Sequence, residues 1–236
     1  MNFNKYILVV AGEPNSVFLE IFFKTIKKLK IKNPLILIAS AKLIKLQMKK
    51  LNINIKINEI NYENLFNKQL KPNNLNVLNV NYDTKVAFEN NSSKSNKYVE
   101  NCFKEAFKIL KKRKKNKLIN GPIVKKTFLK KKYLGVTEYV SKKFNIEDSA
   151  MLIYNKNLSV CPLTTHMPLK YVSKNISKKN IFKKIKIIDN FYKTMFHKKP
   201  RIAILGLNPH CESIDKFNED EKILIPTVKF LVKKKF

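Results

Sequence analysis

An α/β fold, helices layered on a sheet with parallel pairing, is the class this sequence predicts, and three observations carry the prediction. Short apolar runs such as "YILVV" (6–10) and "PLILIA" (34–39) have the length and residue types of buried strands. They alternate with longer stretches whose apolar residues recur three and four apart, as in "SVFLEIFFKTIKKL" (16–29). The alternation persists along the chain, the pattern of strands joined by crossover helices.

Taken in order, the strand at 6–10 leads into the helix at 16–29, with Ser16 near its cap. A second strand at 34–39 precedes a helix through "AKLIKLQMKKL" (41–51), and "INIKI" (53–57) reads as a third strand. Residues 60–92 are rich in Asn and read as irregular, with a short strand at "NVLNV" (76–80). The segment 97–113 is a helix whose Val99, Cys102, Phe103, Ala106, Phe107, Ile109 and Leu110 share a side. "KLIN" (117–120) is a strand running into Gly121–Pro122, and 138–144 is helical. "AMLIY" (150–154) and "LSVCPL" (158–163) flank "NKN" as a hairpin. Helical segments follow at 168–175 and 179–195, then a buried strand "RIAILGL" (201–207) and a helix at 221–235. No repeat or linker divides the chain, which reads as one α/β unit over 1–236 with a soft boundary between two subdomains.

The formal charge is +32, yet of 49 basic residues only Arg113 and Arg201 are arginine. Base-edge readers favour the planar arginine fork. Lysine here is spread over the whole chain beside abundant Asn and Ile, the signature of a solvated coat rather than a specific nucleic-acid site. The densest run, "KKRKKNK" (111–117), falls at a helix end, where cations complement the dipole. No stretch approaches the ~18 consecutive apolar residues of a membrane-crossing helix, and the amino terminus lacks a cleavage-type signal. Cys102, Cys161 and Cys211 have no metal-type spacing, which fits reduced thiols and a cytoplasmic protein.

There are four glycines, Gly12, Gly121, Gly135 and Gly206, each at a strand-to-loop transition and beside Pro, Thr, Glu or His. In open α/β sheets ligands bind at such loops, so the four point to one shared cleft, against the alternative of four ordinary turns. The dinucleotide turn G-x-G-x-x-G and the Walker loop are both absent. Two histidines stand beside prolines, His166 in "TTHMPL" and His210 in "GLNPH"; the third, His197 in "MFHKKP", belongs to no motif and reads as a surface residue.

"AGEPNSVFLE", "INGPIVK", "GVTEY", "LTTHMPL" and "GLNPHCES", in this order and spacing, resemble the 4-hydroxythreonine-4-phosphate dehydrogenases of vitamin B6 biosynthesis. The resemblance covers nearly the whole chain, and all four glycines fall on family glycines. It implies a two-domain α/β/α fold with a mixed sheet, like the isocitrate and isopropylmalate dehydrogenases, incomplete at the carboxyl end. It implies a homodimer, a phosphorylated amino-acid substrate, NAD or NADP, and a divalent metal such as zinc, magnesium or cobalt. The expected reaction is oxidation of 4-phosphooxy-L-threonine followed by loss of CO2. His166 and His210 fall on two of the three metal-binding histidines, and Thr137 on a substrate-contact position. Taken one at a time, either histidine reads as a loop residue bonded to backbone, and Thr137 reads equally as the cap of the helix after it. Lys125 is a weak candidate for an anion contact, and Glu13 and Glu138 read as structural acceptors.

This chain also departs from the family pattern. Val136 stands at a substrate-contacting histidine, Val124 at a polar position, and Ser16 and Phe18 at glycines. The family continues past the position of Phe236 through segments that supply the third metal histidine and much of the NAD site. A second reading follows from these departures and from the charge: an inactive remnant of that enzyme, or a basic domain that binds polyanions nonspecifically.

Overall fold

The computed structural model describes residues 6–29, 33–63, 65, 70, 74–89, 93–112, 116–129, 132–133, 135–212, 214 and 216–236. Residues 113–115, in the middle of the densest basic run, lie outside the described residues. The chain divides into two compact units, Met1–Lys132 and Tyr133–Phe236.

The first unit is built on a five-stranded sheet: β1 (Ile7–Val10), β2 (Leu35–Ala39), β3 (Ile57–Ile60), β4 (Leu75–Asn79) and β5 (Lys117–Asn120), in the order β3-β4-β2-β1-β5. Every pairing is parallel, with Ile7 opposite both Leu35 and Lys117. A mixed sheet was expected from the family resemblance; among the described residues of this unit, no strand pairs antiparallel. The central strands are covered on both faces, so Leu8, Val9, Val10, Ile36, Leu37, Ile38 and Val77 are all buried. The edge strands β3 and β5 are only partly covered.

The helices of this unit are α1 (Phe18–Lys28), α2 (Ala41–Lys50), α3 (Ser93–Lys112) and the single turn α4 (Lys125–Phe128). Ser40 caps α2, its hydroxyl accepting from the Leu43 N–H at 3.3 Å. Ser16 acts one residue before the cap of α1: its hydroxyl accepts from the Phe18 N–H at 3.3 Å and donates to the Glu13 carbonyl at 2.8 Å. On α3 the expected apolar side is the buried one, with Val99, Cys102, Phe103, Ala106, Phe107 and Ile109 in the core and Leu110 at its margin. The third strand lies later than its apolar alternation suggested, at 57–60 rather than 53–57. Ladder partners decide this: Ile57–Ile60 align with Leu75–Leu78, and Ile53–Lys56 form no ladder.

The second unit holds α5 (Val136–Lys143), α6 (Lys178–Phe196) and α7 (Ile225–Lys233). Its core joins Ile176, Ile181 and Ile185 to Leu224 and Leu231, with Ile204, Leu207, Phe182 and Phe230 packed around them. The Ser177 hydroxyl caps α6 by accepting from the Asn180 N–H at 3.2 Å. The expected hairpin is reduced to one antiparallel bridge, Ile153 to Val160. Residues 168–175 form two short 3₁₀ turns, Leu169–Tyr171 and Ser173–Asn175. The strand expected at 201–207 is absent: the run finds no ladder partner among the described residues. Only Ile204 and Leu207 reach the core, while Leu205 is 82% exposed. A wide π turn, Asp220–Leu224, leads directly into α7. No described helix is long and apolar enough to cross a membrane.

Candidate functional site

In the first unit the loops leaving β1 and β5 meet at the point where the strand order reverses, the position at which open α/β sheets bind ligands. Here those loops are fitted into one another. Gly12 has φ +74°, and a Cβ on it would lie 2.3 Å from the Pro122 carbonyl oxygen. The Glu13 N–H donates to that same oxygen at 2.8 Å. Glu13 is itself buried, and burial pushes its carboxyl above the usual range against opposing hydrogen bonds from the Ser95 side chain and the Asn15 backbone. The Gln47 amide donates to the carbonyls of Pro14 and Ala87, at 2.8 and 2.9 Å. Glu13 Oε1, Asn15 Nδ2, Gln47 Oε1 and the Tyr82 hydroxyl are buried with no partner among the described residues. Buried polar atoms are rarely left so, and this concentration makes the end of the sheet polar where the rest of the core is apolar.

The second unit carries all three residues that the sequence singles out. Thr137 is the second residue of α5, half-buried, and the cap position belongs to Gly135. Thr137 therefore stands in the first turn and not at the cap, which the cap alternative required. His166 is exposed, at φ 55° in the loop before Pro168. Its Nε2 lies 3.6 Å from where a Gly135 Cβ would stand, and the Glu138 Oε2 lies 2.9 Å from the same point. Gly135 thus leaves room for an imidazole and a carboxylate over the first turn of α5.

His210 is exposed on the short turn Pro209–Cys211, at φ 57° and ψ 10°, and Cys211 follows at φ 60°. Two successive left-handed non-glycine residues are costly, at about 1–2 kcal/mol each, and the surrounding bonds show what holds them. Asp220 is 2% exposed. Its carboxylate accepts from the Leu207 N–H at 2.9 Å and from the N–H and Nδ2 of Asn208 at 3.2 Å each. Asn218 donates to the Cys211 carbonyl at 3.2 Å and accepts from the Asp220 N–H at 2.9 Å. A Cβ on Gly206 would lie 2.6 Å from the Cys211 Sγ and 3.1 Å from Asp220 Oδ1. Asp220, Asn218 and Asn208 went unmarked in the sequence. The available signal was a run of acidic residues, "NEDE", at the head of an apolar helix, which reads first as ordinary dipole compensation.

Two solvent-accessible imidazoles are suitable in kind for a divalent metal. They fall short in number: among the described residues no group of three or more His, Cys, Asp or Glu could hold one. For a dinucleotide the described residues supply no glycine-rich phosphate turn, the loops at the end of the first unit's sheet being closed on each other. Lys125 begins α4, and His197 ends α6 in a left-handed cap, exposed.

A family described as "Pyridoxal phosphate biosynthetic protein PdxA" matches residues 30–236. The 4-hydroxythreonine-4-phosphate dehydrogenase of Sulfurihydrogenibium sp. (strain YO3AOP1) is 31% identical over 234 residues, covering 95% of this chain and 70% of that protein. The D-threonate 4-phosphate dehydrogenase of Salmonella typhimurium is 26% identical over 231 residues, again covering 95% and 70%. Among solved structures, that of 4-hydroxythreonine-4-phosphate dehydrogenase from Klebsiella pneumoniae superposes with a TM-score of 0.81 at 21% identity, covering 98% of this chain and 72% of that one. At that identity the structure speaks for the fold alone. On the family match over residues 30–236 and the 31% identity across 95% of its length, the chain belongs to the PdxA family of pyridoxal phosphate biosynthetic proteins.

Proposed function

We propose that the chain is a dehydrogenase of 4-phosphooxy-L-threonine, acting in the formation of pyridoxine 5'-phosphate. The product is 2-amino-3-oxo-4-phosphooxybutanoate, which loses CO2 to give 3-amino-2-oxopropyl phosphate. The observation that carries this reading is the 31% identity over 234 residues to a relative named for that activity. Relatives named for D-threonate 4-phosphate favour a second substrate of the same chemical class, a phosphorylated four-carbon hydroxy acid.

Oxidation of the secondary alcohol needs a hydride acceptor, which the family resemblance gives as NAD or NADP. Thr137 contributes a hydroxyl in the first turn of α5, where free N–H groups and the helix dipole favour an anionic oxygen. His166 and His210 are the residues that would hold a divalent ion. Such an ion, when bound, supplies the positive charge that lowers the pKa of the substrate hydroxyl and stabilises developing negative charge on oxygen. Glu138 keeps a carboxylate beside His166. Val136 can neither donate nor accept, so no proton passes through that position. Assembly as a homodimer accords with the large apolar side chains exposed in the second unit, among them Leu158, Leu169 and Ile214. The lysine coat predicts weak association with polyanions that disappears as salt rises.

The test is NADH or NADPH formation from each phosphorylated acid, with zinc, magnesium or cobalt. The chain is assayed alone and with the part of the Sulfurihydrogenibium relative that it does not match added as a second polypeptide. Metal-dependent turnover that His166→Ala and His210→Ala each abolish is the expected result. Absence of turnover in both formats, with the relative active in parallel, would reject the activity.

A further inference from the structure

We propose that Asp220 is a positioning residue for His210, and that the wide turn at Asp220–Leu224 exists to place its carboxylate. The positioning role rests on the reading of His210 as a metal ligand, whereas the clamp on the turn stands on geometry alone. Asp220 is 2% exposed, and among the described residues its carboxylate accepts from Leu207 and Asn208, the two residues immediately before the Pro209–Cys211 turn. Among the described residues its carboxylate has no hydrogen bond to His210 itself, so it acts through the backbone.

Three features converge on this turn. The histidine and the cysteine after it both hold left-handed backbone conformations that L-residues avoid, so something must over-determine them. Asp220 fixes the chain entering the turn, and Asn218 fixes the carbonyl of Cys211 leaving it. Asn218 and Asp220 are themselves joined by the bond from the Asp220 N–H to the Asn218 side chain. The π turn supplies the geometry: it begins at Asp220, and such turns are rare and recur at functional sites. Gly206 completes the arrangement, since a side chain there would press on both the Cys211 sulfur and the Asp220 carboxylate. The clamp consequently presents one imidazole in one orientation while the ring itself remains in solvent.

The experiment compares the full chain with Asp220→Asn, Asn218→Ala and His210→Ala by cobalt titration against a competing chelator, at a temperature well below unfolding of every variant. Residue-resolved amide exchange at 207–212 and along α6 is measured on the same proteins without metal. In Asp220→Asn one oxygen still faces the Leu207 N–H, but an amide group now faces the two Asn208 donors. The expected result is an affinity about 10- to 100-fold weaker, the loss usual when an outer partner of a metal ligand is removed. Amide exchange should accelerate at 207–212 and stay unchanged in α6. Asn218→Ala, which leaves the carboxylate in place, is expected to loosen the same residues.

Wild-type cobalt affinity in Asp220→Asn, alongside loss of binding in His210→Ala, would overturn the positioning role and leave the metal reading intact. Wild-type affinity in His210→Ala would overturn the metal reading instead, and the exchange rates at 207–212 would then decide alone whether Asp220 clamps the turn. Unchanged exchange there in both Asp220→Asn and Asn218→Ala would overturn the clamp.

Discussion

Gly12 and Pro122 are in contact through backbone alone: the Pro122 carbonyl oxygen lies 2.3 Å from the place where any side chain at Gly12 would begin. The same oxygen accepts the Glu13 N–H, so the exits of β1 and β5 are held together with no side chain between them. The φ of +74° at Gly12 adds a second demand that only glycine meets cheaply.

Gly12→Ala is therefore expected to cost about 3 kcal/mol, the sum of a left-handed alanine and a forced backbone shift. Urea unfolding followed by circular dichroism measures this directly. A midpoint equal to the wild type would show that the two loops are not tightly joined.

Glu13 gives stability a dependence on pH. Burial raises its carboxyl above the value of 4.5 that it has in the unfolded chain. Below that value both states are neutral and the group costs nothing. As pH rises, the unfolded chain ionises freely while the folded chain must ionise a poorly solvated group, so stability is lost as pH passes through the raised folded value. Glu13→Gln removes this loss. Its unfolding free energy relative to wild type is expected to climb as pH rises above 4.5, in urea titrations run upward from that value. A flat difference would contradict the assignment.

The three thiols should separate by reactivity. Cys211 is exposed, Cys161 half-buried and Cys102 wholly buried. Burial pushes the Cys102 thiol far above the range in which thiolate forms, and it pushes Cys161 up more modestly, opposed by Lys184. Under native conditions a disulfide reagent is expected to label Cys211 first and Cys161 slowly, with Cys102 reacting only after denaturant is added. Peptide mass spectrometry over a time course resolves the order.

His197 ends α6 in the left-handed conformation, its N–H returning to the Lys193 carbonyl at 3.2 Å. Glycine is the usual occupant of that position. His197→Gly is expected to raise stability by about 0.5–1 kcal/mol and to leave metal affinity untouched, since this ring serves neither turn described above. Loss of stability would mean that the imidazole makes a contact worth more than the backbone strain.

How much of this was legible in the letters depended on whether a residue's role was local. The strands β1, β2 and β4 and the buried side of α3 were legible because periodicity alone distinguishes apolar runs of four or five residues from residues three and four apart. The third strand was misplaced by a few positions because alternation continues across 53–60 and only pairing with β4 selects Ile57–Ile60. Residues 201–207 have a strand's composition and no ladder, because composition says nothing of whether a partner is present. His166, His210 and Thr137 could be named as candidates from their motifs. The carboxylate that secures the turn before His210 could not, because Asp220 is distant in sequence and two of its three partners are backbone N–H groups, which every residue but proline possesses.

A five-residue wide turn takes up one residue more than a regular helix would over the same rise, and that slack is local to Asp220–Leu224. Excising the exposed Lys222 would tighten it to ordinary winding and leave Thr227 and Leu231 facing inward. Excising Lys229 instead would swivel Leu231 by about 100° and turn a core leucine out to water. A one-residue deletion is thus expected to be milder in the wide turn, which also carries the carboxylate, than in the helix after it.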